Sequence, residues 1–499
     1  MKRRKQPWLA LAWAVVFGLA AGKAAAGYID HMSDANDIGR NKVPRTGTRP
    51  VLVLRIEIGT VADWSSVADF YDPANASDGF SRYWEVQSIG AYRPEAVLPP
   101  PIHFDTCPMP PPHDDCVIDR GDVTALVPAL GMLRDVLRRA HDELGVDFSQ
   151  FDSNADGWTD GVAAIINTDV GGIALPVAEL SETLTGFTPA DFTFDGVRVN
   201  AVAVAKLSDT RNYLHEFGHL IGFDDMYNED ALDGTNPALG LEPNPGSAWS
   251  RMGSGYGRYT SLNAVDRVKA GWATVVPVTS TLAAALVPPV LEGGVVYQLG
   301  SGNEYFLIEN RRPSSPADAW YPWDSDVAGS GGLAVYRVLE LHKPNPTFTI
   351  IPRLLECPNC NEFSPFIFFE QADGAFEYQS EAGFDHEKDP ADFFATGDQL
   401  VPRPDDTSPL SRTNLVLRSN YLSGAVNGAA IRDVDADASY PDVVARFEPM
   451  APPVCGQVPG GRAAAPLASL LPLVAAGLGA ARVRGRWSRS RSVAAAERS

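Results

Sequence analysis

The chain lacks a basic surface. It carries 41 Lys and Arg against 62 Asp and Glu, a formal net charge of -21. The total understates the imbalance: residues 1–26 hold five Lys or Arg and no acid, and residues 462–499 hold seven Arg against one Glu. The body between the two ends is therefore strongly acidic. Such a body repels phosphate, so nucleic acid is excluded as a partner. Histidine is sparse, with eight residues at positions 31, 103, 113, 141, 215, 219, 342 and 386. A metal site built from imidazoles must draw on those few. Internal repeats are missing, which excludes a solenoid or an array.

What is present is concentrated in Leu214 to Asp225, L-H-E-F-G-H-L-I-G-F-D-D. On a helix, His215 and His219 lie one turn apart on one face. Two imidazole nitrogens so placed can share one zinc ion. Glu216 follows the first His and can point to the same side, where it can take a proton from an attacking water. Gly222 lets the chain leave the helix. No histidine stands at position 225, so the third ligand is a carboxylate or a distant residue. Asp225 is the first choice, with Asp224 and Glu229 behind it. The pattern points to a zinc hydrolase, and a peptidase before others.

At 499 residues, two domains with tails are expected. Lys2 to Lys5, the apolar run Trp8 to Ala21 and Ala24-Ala25-Ala26 form a secretory signal over residues 1–26, so the chain is expected to be exported. Residues 27–46 read as a polar lead-in or short propeptide. The five cysteines suit an oxidising compartment. Cys107 and Cys116 bracket a proline-rich loop and are expected to pair. Cys357 and Cys360, in C-P-N-C, are expected to form a tight local disulfide, since a structural zinc would need two more ligands nearby. Cys455 is left in the tail.

Residues 47–275 read as one domain. Val51 to Ile58 is a buried strand, Phe80 to Ile89 a helix packed on a sheet, and Asp122 to Leu144 a helix with Pro128 at a kink or at its start. Val197 to Ala205 alternates as a strand leading to the zinc helix, which Asp209 or Thr210 can cap. An extended substrate would lie along that strand. Leu262 to Trp272 is a short helix that closes the domain. In F-D-S-N-A-D-G-W-T-D, residues Asp152, Asn154, Asp156 and Asp160 fall at positions one, three, five and nine of a calcium loop, with Gly157 at six. Position twelve is Ala163 instead of Glu. A calcium site and a plain turn feeding the strand Val162 to Asn167 both fit.

Residues 276–450 show recurring strands at Val295 to Leu299, Tyr305 to Glu309, Gly332 to Val338, Phe366 to Phe369, Leu415 to Leu417 and Val443 to Phe447. They predict an all-β accessory domain, in the manner of a sandwich. Residues 451–499 form a tail: a spacer with Cys455, the apolar run Ala463 to Ala481, and a basic stop at Arg482, Arg484, Arg486, Arg489 and Arg491. The tail resembles the three-part C-terminal sorting signals of bacterial surface proteins. That resemblance implies processing near Cys455, transient membrane association, and a place at the cell surface or outer envelope, or outside the cell after processing.

The stretch H-E-F-G-H-L-I-G-F-D-D-M-Y resembles the zinc signature of the immune inhibitor A-like metalloproteases, which are metzincins. Other stretches agree. Pro50 to Glu57 resembles the family's opening strand, and Phe151 to Asp160 its aspartate-rich segment. Trp249 to Gly253 resembles its Met-turn, Ala264 to Trp272 the helix ending in Gly-Trp, and Tyr305 to Arg311 a strand beyond the catalytic core. The likeness spans about residues 48–450. Phe223, Asp224 and Val335 to Val338 depart from the family pattern without removing a catalytic group.

The resemblance implies an α+β fold: a metzincin-like peptidase domain with a mixed, mostly parallel sheet and an active-site helix, followed by the β-rich domain. It implies zinc on His215, His219 and Asp225, Glu216 as general base and then proton donor, and Met252 as the floor under the metal. Tyr227, Tyr256 and Tyr259 are candidates for a second oxyanion donor. The expected partners are protein or peptide substrates, and a monomer is expected. Two other classes stay open: a surface adhesin that keeps a peptidase fold without activity, and a zinc hydrolase of a non-peptide amide or ester.

Overall fold

The structure, a computed structural model, describes residues 43–109, 116, 126–168, 172–183, 186–223, 250–253, 260–301, 304–312, 331–339, 367–370, 372, 392–401, 428–436 and 442–449. The leader, the tail, the expected strand at Leu415 to Leu417, and Cys357, Cys360 and Cys455 lie outside these residues. The fold is α+β, with mixed parallel and antiparallel sheets.

The first sheet holds β1 (Gly47–Ile58), β2 (Tyr92–Val97), β3 (Ile102–Phe104), β4 (Val162–Ile166), β5 (Ile173–Leu175) and β8 (Val202–Lys206) in the order β2-β1-β4-β8-β5, with β3 beside the end of β1. All its pairings are parallel except β5 with β8. Strands buried on both faces need continuous apolar runs, and Val51 to Leu54 of β1, all of β4, and Val202 to Ala205 of β8 supply them. The faces divide by the two-residue period. Leu52, Leu54, Val162, Ala164, Ile166, Val202 and Val204 face one core, which includes Leu130, Leu133, Val136 and Leu137 of helix α3 (Leu126–Asp142). Val51, Val53, Ala163, Ile165, Ala203 and Ala205 face another, shared with helices α1 (Ser65–Tyr71), α2 (Phe80–Gln87) and α5 (Thr210–Ile221). The alanines on that face leave room for α5 to lie close.

The helix expected over Asp122 to Leu144 is described from Leu126 to Asp142. Pro128 falls in its first turn, where a missing N–H costs nothing. The strand expected from Val197 to Ala205 is broken. Val197–Arg198 (β7) pairs with Thr193–Phe194 (β6), and only Val202–Lys206 enters the main sheet. At the break, Val199 donates to the Phe192 carbonyl and the Asn200 carbonyl accepts from Ala178 of helix α4 (Val177–Thr183), so the backbone changes partners, and Val199 packs with Val202 and Val204 while Ala201 packs on the opposite face with Ala203.

Beyond helix α6 (Ala264–Lys269), a second sheet runs β14-β13-β12-β11-β9: Ile367–Phe369, Gly332–Leu339, Glu304–Arg311, Val295–Leu299 and Thr274–Val278. A third sheet, β10-β16-β15, holds Leu282–Val287, Val443–Glu448 and Ala430–Asp435. Alternation again sets the packing. Phe306, Ile308, Leu333 and Val335 face the third sheet in a sandwich core with Val287, Ile431, Val443 and Phe447. Tyr305, Leu307, Ala334, Tyr336 and Val338 face the other way, into the core that also buries α5. The boundary expected near residue 275 thus lies inside one continuous hydrophobic core. Among the described residues no helix is long and apolar enough to cross a membrane.

Candidate metal centre

Helix α5 starts after Asp209, which stands at the N-cap position, and ends at Gly222. Gly222 has φ +99°, a left-handed conformation that glycine adopts without strain, and Phe223 N–H returns to the Gly218 carbonyl at 3.0 Å. One face of α5, with Tyr213, Leu214, Phe217, Leu220 and Ile221, is packed in the hydrophobic core. Aromatic rings set its orientation. Phe217 meets Phe80 edge-on at 4.9 Å and Trp84 at 5.7 Å, and Phe223 meets Trp272 edge-on at 5.6 Å. Each such pair is worth about 0.5–1.5 kcal/mol beyond its buried area.

The neighbouring stripe of α5 carries His215, Glu216 and His219, all buried. One ligand atom from each lies within 4.8 Å of the others. Among the described residues this is the one group of three or more His, Cys, Asp or Glu side chains arranged to share an ion. Three buried polar side chains together are costly unless something compensates them. Both imidazoles are held the same way. His215 Nδ1–H donates to the Arg251 carbonyl at 3.0 Å, and His219 Nδ1–H to the Phe223 carbonyl at 2.8 Å. A carbonyl can only accept, so the protons sit on Nδ1 and the lone pairs on Nε2. That is the tautomer in which a metal-binding histidine uses Nε2 and is oriented through its other nitrogen.

Met252 is fully buried beside the helix. Gly218 lies between the two histidines, and a Cβ there would come within 2.6 Å of Met252 Sδ. The Met252 side chain thus fills the space that Gly218 leaves open. On the other side Gly172, just ahead of β5, abuts the Glu216 carboxylate, and a Cβ at 172 would run into Glu216 Oε1.

The edge beside this site is not the strand expected. β8 is hydrogen-bonded on both sides, to β4 and β5, so no extended chain can add to it. Among the described residues the outer strand is β5, which is antiparallel to β8.

Asp224, Asp225, Glu229, Tyr227, Tyr256 and Tyr259 lie outside the described residues, so the third ligand and the second oxyanion donor are not placed. Cys107 and Cys116 are joined in a disulfide. In the aspartate-rich loop, Asp152 accepts from the Asp156 and Gly157 N–H groups, and Asp156 from Trp158 N–H. Asp160 accepts from Ser153 N–H, and burial pushes its carboxyl above the usual range. These carboxylates close the turn on its own backbone, and Asp152, Asp156 and Asp160 form no second ion-sharing group.

Several supporting residues escape the motif. The Arg45 guanidinium donates to the Ile221 carbonyl at 2.7 Å and to the Lys269 carbonyl at 3.2 Å, so it caps the ends of α5 and α6 together. The Arg251 guanidinium lies over the Tyr83 ring at 5.4 Å. Burial pushes the Tyr83 hydroxyl up to about 12, and it donates to the Thr260 carbonyl. The sequence signal for Arg45 was weak: a single basic residue just before a strand.

No protein-family model matches the chain, and no curated protein matches it at a significant level.

Proposed function

We propose that the chain is a zinc-dependent endopeptidase of metzincin type, akin to the immune inhibitor A-like metalloproteases. The observation that carries the reading is the pair of buried imidazoles, each held through Nδ1 by a backbone carbonyl, with a carboxylate between them. The donor set fits zinc: two neutral nitrogens, with Asp225 as the proposed third ligand, leave the ion positively charged and with an open position. Bound zinc would supply polarisation of the scissile carbonyl and a lowered pKa for water.

The chain's own residues do the rest. His215 and His219 would hold the ion through Nε2, the nitrogens left free of protons by the two carbonyl bonds. Glu216 takes a proton from the attacking water and passes it to the leaving nitrogen, which is the work of a general base and then a general acid. Burial of all three strengthens these electrostatic interactions by excluding solvent. Met252 fixes the helix from below, and Arg251 and Phe223 fix the ring planes. An extended peptide adding to the edge of β5 would pass beside Gly172 and bring a backbone carbonyl near Glu216. The secretory signal expected over residues 1–26 and the sorting-like tail over residues 451–499 support a site of action outside the cytoplasm, at the envelope or beyond it.

The test is metal analysis of the full chain together with a chelator-sensitive casein assay. Glu216→Gln should keep zinc and lose turnover. A variant that hydrolyses casein at the wild-type rate would sink the mechanism. Zinc without any proteolysis would favour a non-peptide substrate or a binding protein.

A further inference from the structure

We propose that Gln87 is a positioning residue for the metal centre, through which the β12–β13 sheet governs the orientation of His215. The proposal rests on the zinc reading above and goes beyond it.

A continuous run of buried hydrogen bonds links that sheet to the histidine. Glu309 on β12 forms an ion pair with Arg267 on α6 at 2.8 Å, with both side chains fully buried. The Tyr336 hydroxyl on β13 donates to the other Glu309 oxygen at 3.0 Å. The second arm of Arg267 donates to Gln87 Oε1 at 2.8 Å. The same oxygen accepts from Leu262 N–H at 2.9 Å, and Gln87 Nε2 donates to Ser261 Oγ at 3.1 Å. The Ser261 carbonyl accepts from Arg251 N–H at 2.8 Å, and the Arg251 carbonyl accepts from His215 at 3.0 Å. The same helix grips the loop from a second point. Asp266 accepts from Ser250 Oγ at 3.2 Å, and that oxygen accepts from Met252 N–H at 3.2 Å.

Gln87 is the junction. Its amide oxygen takes two donors, Arg267 on α6 and the Leu262 N–H, and its amide nitrogen donates to Ser261, so three bonds reach α6 and the segment just before it. It ties both to α2, and Ser261 in turn holds Arg251; the Tyr83 ring on α2 meets the Arg251 guanidinium separately but takes no part in the bond from His215 to the Arg251 carbonyl. The Arg251 carbonyl is what sets the plane and tautomer of His215. Removing the group to which a metal-binding histidine is hydrogen-bonded weakens metal binding by about 10- to 100-fold, which is the upper limit for a residue that acts on that group from behind. A network that only stabilised the fold would lower the melting temperature and leave metal affinity alone.

A second buried network in the same sheet provides the control. Arg337 is held by Glu370 and Glu304, with Arg337 and Glu370 almost fully buried. None of these residues belongs to the run that ends at His215.

The experiment measures Zn2+ affinity of the full chain by competition with a chromophoric chelator, alongside thermal unfolding. Gln87→Met keeps the volume and removes all three bonds. It should bind Zn2+ more weakly than wild type, by a few-fold to about 10-fold, the lower end of the range for loss of a direct partner. Glu370→Gln should lower the melting temperature and leave Zn2+ affinity unchanged. Should Gln87→Met not fold, Arg267→Lys serves instead: it keeps a cation beside Glu309 but loses the arm to Gln87, and it should weaken Zn2+ binding in the same direction. A folded Gln87→Met, or Arg267→Lys in its place, with wild-type affinity overturns the proposal. So does a Glu370→Gln chain that loses affinity in step with its stability. A wild-type chain that binds no Zn2+ overturns the metal reading itself, which is a different result from a wild type that binds and variants that bind equally well.

Discussion

Replacing Gly172 by alanine should separate metal binding from turnover. Gly172 precedes β5 with a backbone outside the left-handed region, so alanine fits the chain conformation there. On backbone grounds alone the change would add about 0.4–1 kcal/mol, because it restricts the unfolded chain. The obstacle is the new Cβ. It would collide with Glu216 Oε1 and lie 3.1 Å from both Glu216 Cδ and Asn212 Nδ2. The carboxylate must then move by about 1 Å to restore ordinary contact. Misplacing a reacting group by about that distance costs roughly 100-fold in rate, or about 2.7 kcal/mol in the barrier. Nothing at position 172 holds the histidines, whose rings are fixed by Arg251 and Phe223. Zinc content measured by atomic emission should therefore match wild type, while chelator-sensitive casein hydrolysis falls about 100-fold. Wild-type turnover would refute the placement of Glu216 as the proton carrier. Loss of zinc together with turnover would refute the separation of the two roles.

Gly218→Ala should lower stability by about 1–2 kcal/mol in denaturant unfolding despite a helix-propensity gain of about 1 kcal/mol, because the buried Met252 sulfur blocks the new methyl; a more stable variant would show that Met252 moves freely. Arg45→Met should cost about 2–4 kcal/mol in the same assay, from the loss of two charge-assisted bonds to helix-end carbonyls; a change below about 0.5 kcal/mol would mean that water replaces the guanidinium. The His141 imidazole is raised above its ordinary value by its hydrogen bond to Asp142, with Asp195 adding to it. A raised folded-state value stabilises below the unfolded value of about 6.5 and is lost as pH rises through the folded one. The melting temperature gap between wild type and His141→Gln should thus be wider at about pH 5.5 than at about pH 9, and an equal gap would count against the pair.

The parts of the fold that were legible in the sequence are those in which one residue's chemistry decides its neighbours. His215, Glu216, His219 and Gly222 share a helix and a turn, and the structure brings the three side chains together. The strands near Val51, Val295, Tyr305, Gly332 and Val443 were legible because β-branched and aromatic residues recur at the strand period. What the sequence left hidden depends on partners far away in the chain. A three-residue edge strand such as Ile173–Leu175 has no room for a period. The partner change after Val199 is hidden because Val-Arg-Val-Asn-Ala reads as unbroken alternation, whereas in the fold Val199 packs in the same core as Val202 and Val204 and Ala201 packs on the opposite face. The shared core was hidden for a related reason. Alternation in β12 shows that both faces are buried, but not that one of them meets the helix that carries His215 and His219. Carbonyl groups carry no sequence signature at all, so the partners of both histidines could be found only from coordinates.

The two histidines are held by carbonyls of unequal reach, and this determines how the site should respond to change. His219 is fixed by Phe223, four residues on, through a turn that Gly222 makes and that Arg45 caps at Ile221. Its orientation forms with the helix end. His215 is fixed by Arg251, thirty-six residues on, in a loop gripped by α6 through Asp266 and Ser250 and by α2 through Gln87 and Ser261. Its orientation forms only when distant parts have met. A chain whose long-range packing is loosened should therefore keep the His219 geometry and lose that of His215 first. One imidazole alone binds zinc far more weakly than two on a preformed face, because the second is held in place before the ion arrives. Metal binding at this centre should thus report on the assembly of the whole core and not only on the integrity of α5. A pair of ligands buried in a core shared by two sheets, unlike a pair on a surface helix, makes ion binding conditional on that core being assembled.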